Sequence, residues 1–404
     1  MIVIKKILFI LICVGLFLNQ AGRIDFQNDI SVTFLDLSTA IFVLFGIITR
    51  FKDIKREVFK LPKIIGLFLT IIVISLFFNF GKYTLFQNIV AWLYLLRFLL
   101  YLSVFIVAKN MFISVKDKIF ILRSLLATGL GLVMAGFIQY MFYSNLRNLY
   151  YAGWDEHMYR LFSSFFDPNF AGAFFTLLFI FLLGIWFSFN SKKNIYLKLT
   201  TLLSLLLTLF AIFLTFSRSA LIMLIISSFL FFIVKLKKKY IFLIFACLLI
   251  MLIVVSPKQN IENTNYLRVA SVEARITSID NVLSVIQRNI VLGVGFDAYR
   301  YAQLNYGLIK HSPLASKISH ANAGTDNSLL FIWATTGIFG FASFIYIIYE
   351  LLKHSYKSAR QNIFSAVFFA SLAGVIVDAF FINSLFYPSI LLWLSSISIF
   401  AFKD

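Results

Sequence analysis

The sequence predicts an all-α, polytopic membrane protein with about twelve transmembrane helices and a long outer loop that contains an amphipathic helix. Three observations lead there. Of 404 residues, 61% are hydrophobic, 50 are phenylalanine, and the mean hydropathy is +0.92. No soluble domain can cover that much apolar surface. The apolar residues fall in runs of about 20, the length that crosses a bilayer as a helix. The formal charge of +19 is sorted by loop. In a soluble protein such an excess suggests nucleic acid; in a membrane protein, cations gather in cytoplasmic loops.

Twelve runs qualify, near residues 7–22, 30–49, 64–80, 89–108, 119–142, 169–189, 195–215, 219–234, 240–255, 328–349, 363–382 and 388–402. The first follows Lys5-Lys6 like a signal peptide, but "FLNQAGR" places Asn19 where cleavage needs a small residue, so an uncleaved helix is expected. Alternate loops read "RFKDIKREVFKLPK", "KNMFISVKDK", "SKKN", "KLKKK" and "LLKHSYKSAR", with Lys5-Lys6 and Lys403 at the ends. The other short connections carry only Arg23, Lys82, Arg147, Arg160 and Arg218. Both termini are therefore expected in the cytoplasm. The chain divides into a membrane domain of nine helices (1–255), an extracytoplasmic loop (256–327) and a membrane domain of three helices (328–404). Cys13 and Cys247 sit inside apolar runs and support neither a disulfide nor a metal site.

Polar groups concentrate on the side expected outside. "FLTFSRSALIMLI" interrupts apolar sequence only at Ser217-Arg218-Ser219. Free N–H groups at a helix start plus a guanidinium suit an anion, and an interfacial arginine reaching for water explains the residue equally. In the long loop, Val272, Ile276, Ile279, Leu283, Ile286 and Ile290 recur at spacings of four and three, one apolar stripe of a helix. Arg275 falls at the stripe's edge and Arg288 opposite. Gly293-Val294-Gly295 reads as a turn ending that helix, because the strand and full fingerprint of a nucleotide loop are missing.

"ISHANAGTDNSLLFIWATTGIFG" sets His320, Asp326 and Asn327 just before the tenth span. Asp326 reads either as a proton acceptor or as a helix N-cap. Gly337 and Gly340 favour close packing on a neighbour. "YRLFSSFFDPNFAG" offers Arg160, Asp167 and Asn169, with Pro168 suited to a first helical turn and Asp167 to its cap. Arg97, in "WLYLLRFLLYL", must face the bundle interior or a cavity, with Asp36 and Asp378 as candidate partners.

The chain resembles the O-antigen ligase and polymerase superfamily over about Arg160 to Gly340. "RLFSSFFDPNFAG" is similar to the family's Arg-to-Asp-Pro-Asn segment, "LTFSRSA" to its Ser-Arg turn, and "ARITSIDNVLSVIQRNIVLGVGFDAY" to its arginine-led helix ending in Gly-x-Gly. "DNSLLFIWATTGIFG" follows its His-Asn, nine residues, Gly-x-x-Gly pattern, with Asp326 where the ligases have histidine. The resemblance implies a GT-C-like fold and substrates linked to undecaprenyl diphosphate. One sugar hydroxyl would attack an anomeric carbon while lipid diphosphate leaves. It implies Asp326 as base with His320 in reserve, and Arg218 and Arg275 as holders of the diphosphate, assisted by Arg160. Asn169 and Asn327 would touch substrate, Arg97 would reach the diphosphate or an acidic partner, and Asp378 would contact sugar. No cofactor, metal or nucleic acid is expected. The expected partners are the lipid-linked oligosaccharide, the bilayer, and flippase and chain-length regulator proteins. The aspartate departs from the ligases and favours the repeat-unit polymerases; a ligase and, more distantly, a glycan or lipid transporter are the alternatives.

Overall fold

A computed structural model describes residues 2–26, 30–188, 195–236, 270–309 and 324–402. The run at 240–255, Cys247 and His320 lie outside the described residues. Helices α1 (Ile2–Leu18), α2 (Phe34–Lys60), α3 (Lys63–Phe78), α4 (Leu85–Met111), α5 (Val115–Phe142), α6 (Pro168–Ser188), α7 (Ile195–Leu214) and α8 (Arg218–Leu236) run back and forth through a bundle. They are followed by α9 (Ala270–Arg288), α10 (Tyr299–Asn305), α11 (Ser328–Ala359), α12 (Ile363–Asp378) and α13 (Pro388–Ala401). Among the described residues nine helices are long and apolar enough to cross a membrane, and α12 and α13 are shorter apolar helices. The protein is an all-α, multi-pass membrane protein.

Helix starts follow local chemistry. Thr33 and Asp36 form a reciprocal capping box at α2, and Thr84 and Gln87 another at α4. A short antiparallel pair, β1 (Arg23–Asp25) with β2 (Ser31–Thr33), closes the α1–α2 connection. Helix α6 forms the centre: 83% of its apolar window is buried, against 28% for α3 and α7. Phe174 and Phe181 of α6 meet Trp393 of α13 edge-on at 4.9 and 5.5 Å. At the end away from the site, Lys5–Asp117 (2.6 Å) and Lys109–Glu57 (3.3 Å) tie neighbouring helices.

The tenth expected span is the largest departure. Helix α11 has 32 residues, about 48 Å if straight, whereas α12 has 16, about 24 Å. Both helices share their ends, for Ser328 N–H donates to Ala379 O (2.9 Å) and Ala359 precedes α12 by a tight turn. A straight α11 cannot satisfy both. It breaks at Gly337 (φ 70°, ψ −174°), so Ser328–Thr336 form a separate half-helix and the span proper begins after the glycine. Apolar counting cannot see the break, because glycine does not interrupt an apolar run.

The break is filled by the segment expected to be a simple turn. Val294 and Gly295 donate their N–H groups to Ala334 O (2.9 Å) and Thr335 O (3.0 Å), and Ile338 N–H donates to Ile290 O (2.9 Å). These bonds satisfy backbone groups that a broken helix would otherwise leave exposed in an apolar setting. From α3 and the turn after it, Ser75 Oγ lies within hydrogen-bond reach of Leu292 O and Thr335 O, Asn79 Nδ2 donates to Gly293 O, and Tyr83 Oη donates to Val294 O. Gly293-Val294-Gly295 is thus a structural splice.

Helix α9 forms as expected. Its packed face is Val282, Val285 and Ile286, against Val294, Tyr299, Phe331 and Ala334. Ile276, Leu283 and Ile290 of the expected stripe are exposed instead. Ile286 of the stripe is packed with Val282 and Val285, so the stripe lies partly against the bundle and partly on the outer surface.

Candidate active site

The site gathers where α6, α8 and α11 begin and α12 ends. Helix α8 starts at Arg218 itself, as the Ser-Arg turn implied. Phe216 adopts a left-handed φ of 49°, which turns the chain, and Ser217 and Ser219 are buried with hydroxyls 3.3 Å apart. A cation in the first turn opposes the helix dipole. Arg275 of α9 lies close enough that the two guanidiniums repel. Arg275 is half-buried over the Phe381 ring (5.9 Å) and forms no ion pair within 4 Å among the described residues. Two adjacent cations at a helix start form a site that an anion stabilises.

Asp326 stands within reach of the charge of Arg275. Its backbone N–H donates to Ser278 Oγ (3.3 Å), one turn along α9 from Arg275. The cap of α11 is not Asp326 but Asn327, whose Oδ1 accepts from Leu329 N–H (2.9 Å) and Leu330 N–H (3.0 Å). That corrects the reading of Asp326 as the cap. Asn327 Oδ1 is engaged by the helix, and its neighbour's carboxylate makes no hydrogen bond among the described residues. Burial pushes Asp326 up to about 6, Asp167 and Asp155 add to the rise, and Arg275 opposes it. An acid in that range serves as a proton acceptor near neutral pH. Asn327→Ala should destabilise the fold by about 1 kcal/mol through the lost cap, measurable by thermal unfolding in detergent.

Asp378 ends α12, fully buried, with both carboxylate oxygens lacking a well-formed hydrogen bond; the Ser219 and Ser384 hydroxyls and the charge of Arg275 are near it. It joins Asp326 at the arginine pair. Arg160 does not. Its Nε donates to Thr215 O (2.8 Å) and its Nη2 to Asn169 Oδ1 (3.2 Å), in a pocket leaving it 5% exposed. Arg160 straps the α7–α8 turn to the start of α6, and Asn169 is its partner. Asp167 accepts from Asn169 N–H (2.6 Å), as a cap would. Arg97 is also elsewhere: of its candidate partners the structure selects Asp36, at 2.7 Å. Because Asp36 lies in the first turn of α2, Arg97 sits near an end of the bundle, not at its middle.

Two charged groups escaped sequence reading. Asp297 and Arg300 lie beyond the Gly-x-Gly segment, and only the splice at Gly337 carries them into the protein, near Arg97. No periodicity marks them.

The comparison with protein families matches this half of the site. Residues 203–345 match the family model described as O-Antigen ligase, a stretch that contains Arg218, Arg275, Asp326 and Asn327 and leaves out Arg97, Arg160, Asn169 and Asp378. A search of curated proteins returns no match. The segment that brings the two arginines to Asp326 therefore lies within the stretch similar to the O-Antigen ligase family model.

Proposed function

We propose that the protein polymerises oligosaccharide repeat units carried on undecaprenyl diphosphate, at the outer face of the bacterial cytoplasmic membrane. The observation that carries this reading is the convergence of Arg218 and Arg275, from distant segments, beside the unbonded carboxylate of Asp326. Asp326 takes the proton of an acceptor hydroxyl as its oxygen attacks the anomeric carbon. The bond from that carbon to the diphosphate oxygen breaks, and the guanidiniums neutralise the departing charge. Asp378, buried alongside, accepts hydrogen bonds from donor sugar hydroxyls. The distribution of lysine and arginine between loops supports an extracytoplasmic site.

The family model's description favours a ligase as second reading, one that hands a finished glycan to a different acceptor. One experiment separates them. Purified protein is incubated with undecaprenyl-diphosphate-linked repeat units alone, and the products are resolved by length beside Arg218→Ala and Arg275→Ala. A ladder of longer lipid-linked chains, reduced at least 100-fold in both variants, is expected. Transfer that appears only with a second acceptor present assigns a ligase. Variants as active as wild type would overturn the assignment of the arginine pair.

A further inference from the structure

A second cluster of charge gathers around Arg97, and the reaction proposed above leaves it unused. Arg97 donates through Nε to Asp36 Oδ1 (2.7 Å), which also accepts from Tyr101 Oη (2.5 Å). Asp36 Oδ2 accepts from Thr33 N and Thr33 Oγ1, both at 2.8 Å. Asp36 is therefore saturated, while the terminal nitrogens of Arg97 make no further hydrogen bond among the described residues. Arg300, itself buried, and Arg97 each lie 5.8 Å from the Tyr94 ring centre. Facing them is Asp297, whose Oδ2 is buried without a hydrogen-bond partner among the described residues. Its backbone is held in the left-handed region at φ 57°. A buried carboxylate oxygen left without a bond is a cost that a fold keeps where a site needs it. Burial lifts Asp297 to about 7 even though Arg300 and Arg97 pull it down.

We propose that Arg97, Asp297 and Arg300 form a saccharide subsite that holds the acceptor sugar chain; this rests on the glycan-transfer reading above. The chemistry selects the ligand class. A carboxylate asks for hydroxyl donors, and guanidiniums ask for oxygen acceptors. The neighbouring hydroxyls of a sugar ring supply both within one residue. A diphosphate would meet Asp297, a cation would meet two arginines, and a hydrocarbon would leave Asp297 Oδ2 unbonded. Position fits as well. Helix α10 sets Tyr299 where the charge of Asp326 reaches it, while the next residue, Arg300, serves the second cluster. Tyr387, stacked on Phe170 at 3.9 Å, links the two clusters electrostatically, for its hydroxyl feels the charges of both Asp167, which also reaches Asp326, and Arg97. Adjacent residues of one short helix thus face the two clusters, as an acceptor chain held at one and reacting at the other requires.

The test uses the full-length protein in detergent and oligosaccharide released by mild acid from the host's own lipid-linked intermediates, so that neither lipid nor diphosphate is present. Binding is followed by saturation-transfer NMR or calorimetry for wild type, Asp297→Asn, Arg300→Gln and Arg218→Ala, each checked for an unchanged thermal transition. Wild type and Arg218→Ala should bind alike, and Asp297→Asn and Arg300→Gln at least tenfold more weakly. If a substitution at Asp297 or Arg300 unfolds the protein, Arg300→Lys keeps the charge but loses the planar fork and should still weaken binding. Binding by well-folded Asp297→Asn equal to wild type overturns the subsite, as does no binding by wild type that elongates lipid-linked substrate. Binding that follows this pattern in a protein that never transfers glycan would instead remove the polymerase reading and leave the subsite standing.

Discussion

Asp326→Asn should lower the rate of chain elongation by about 100-fold or more, the usual contribution of a general base. The amide preserves shape but accepts no proton. The pH profile gives the sharper test. Asp326 is held up to about 6, so the ionised, proton-accepting form dominates above that value and is lost below it. Elongation by wild type should therefore fall as pH drops through about 6, with the slope of one proton, and the limb should vanish from the residual activity of Asp326→Asn. The superfamily pattern has histidine at this position, and the ordinary pKa of histidine is about 6.5. Asp326→His should accordingly keep substantial activity with a similar acid limb. Full activity in the asparagine variant, with the limb unmoved, would remove Asp326 from the chemistry.

Gly337→Ala should be the most damaging small substitution in the protein. At φ 70° an alanine is strained by about 1–2 kcal/mol, and its Cβ would fall on the carbonyl of Val291. Relief by straightening α11 would break the bonds from Val294 N–H, Gly295 N–H and Ile338 N–H, each contributing about 1 kcal/mol. A loss of about 4 kcal/mol or more is expected, seen as a collapsed yield of folded protein or a large fall in the thermal transition. Gly293→Ala, whose Cβ would meet the Thr335–Thr336 peptide at φ 67°, should behave likewise. Gly66→Ala is the control. No atom lies within 4 Å of the added carbon, and the position is helical, so stability should be unchanged or slightly higher. Equal stabilities across the three would mean that the splice does not hold α11.

The splice also explains how the two halves of the chemistry meet. Asp326 begins the half-helix Ser328–Thr336, whose angle is set by the break. Arg275 is fixed on α9, which packs its buried valines against that same half-helix. Arg218 is fixed by a different device, the α7–α8 turn strapped by Arg160. Conservative change at Arg160, which touches no proposed substrate atom, should therefore act on the placing of Arg218.

By itself the sequence determined that the chain is all helical and crosses a membrane many times, because span length and hydropathy are local properties of a run of residues. The Ser-Arg turn, the start of α6 and the arginine on α9 were legible for the same reason: each is a short motif whose meaning does not depend on distant contacts. Only the tertiary structure decided which polar groups are spent and which are left. Asn327 took the cap and released Asp326, Asp36 took Arg97, and Thr215 and Asn169 took Arg160. Hydrogen-bond saturation is settled by partners far along the chain, and no pattern of spacing encodes it. The break in α11 was hidden in the same way. Glycine leaves an apolar run unbroken, and its left-handed conformation matters only once Val294 and Gly295 arrive to bond the carbonyls it exposes.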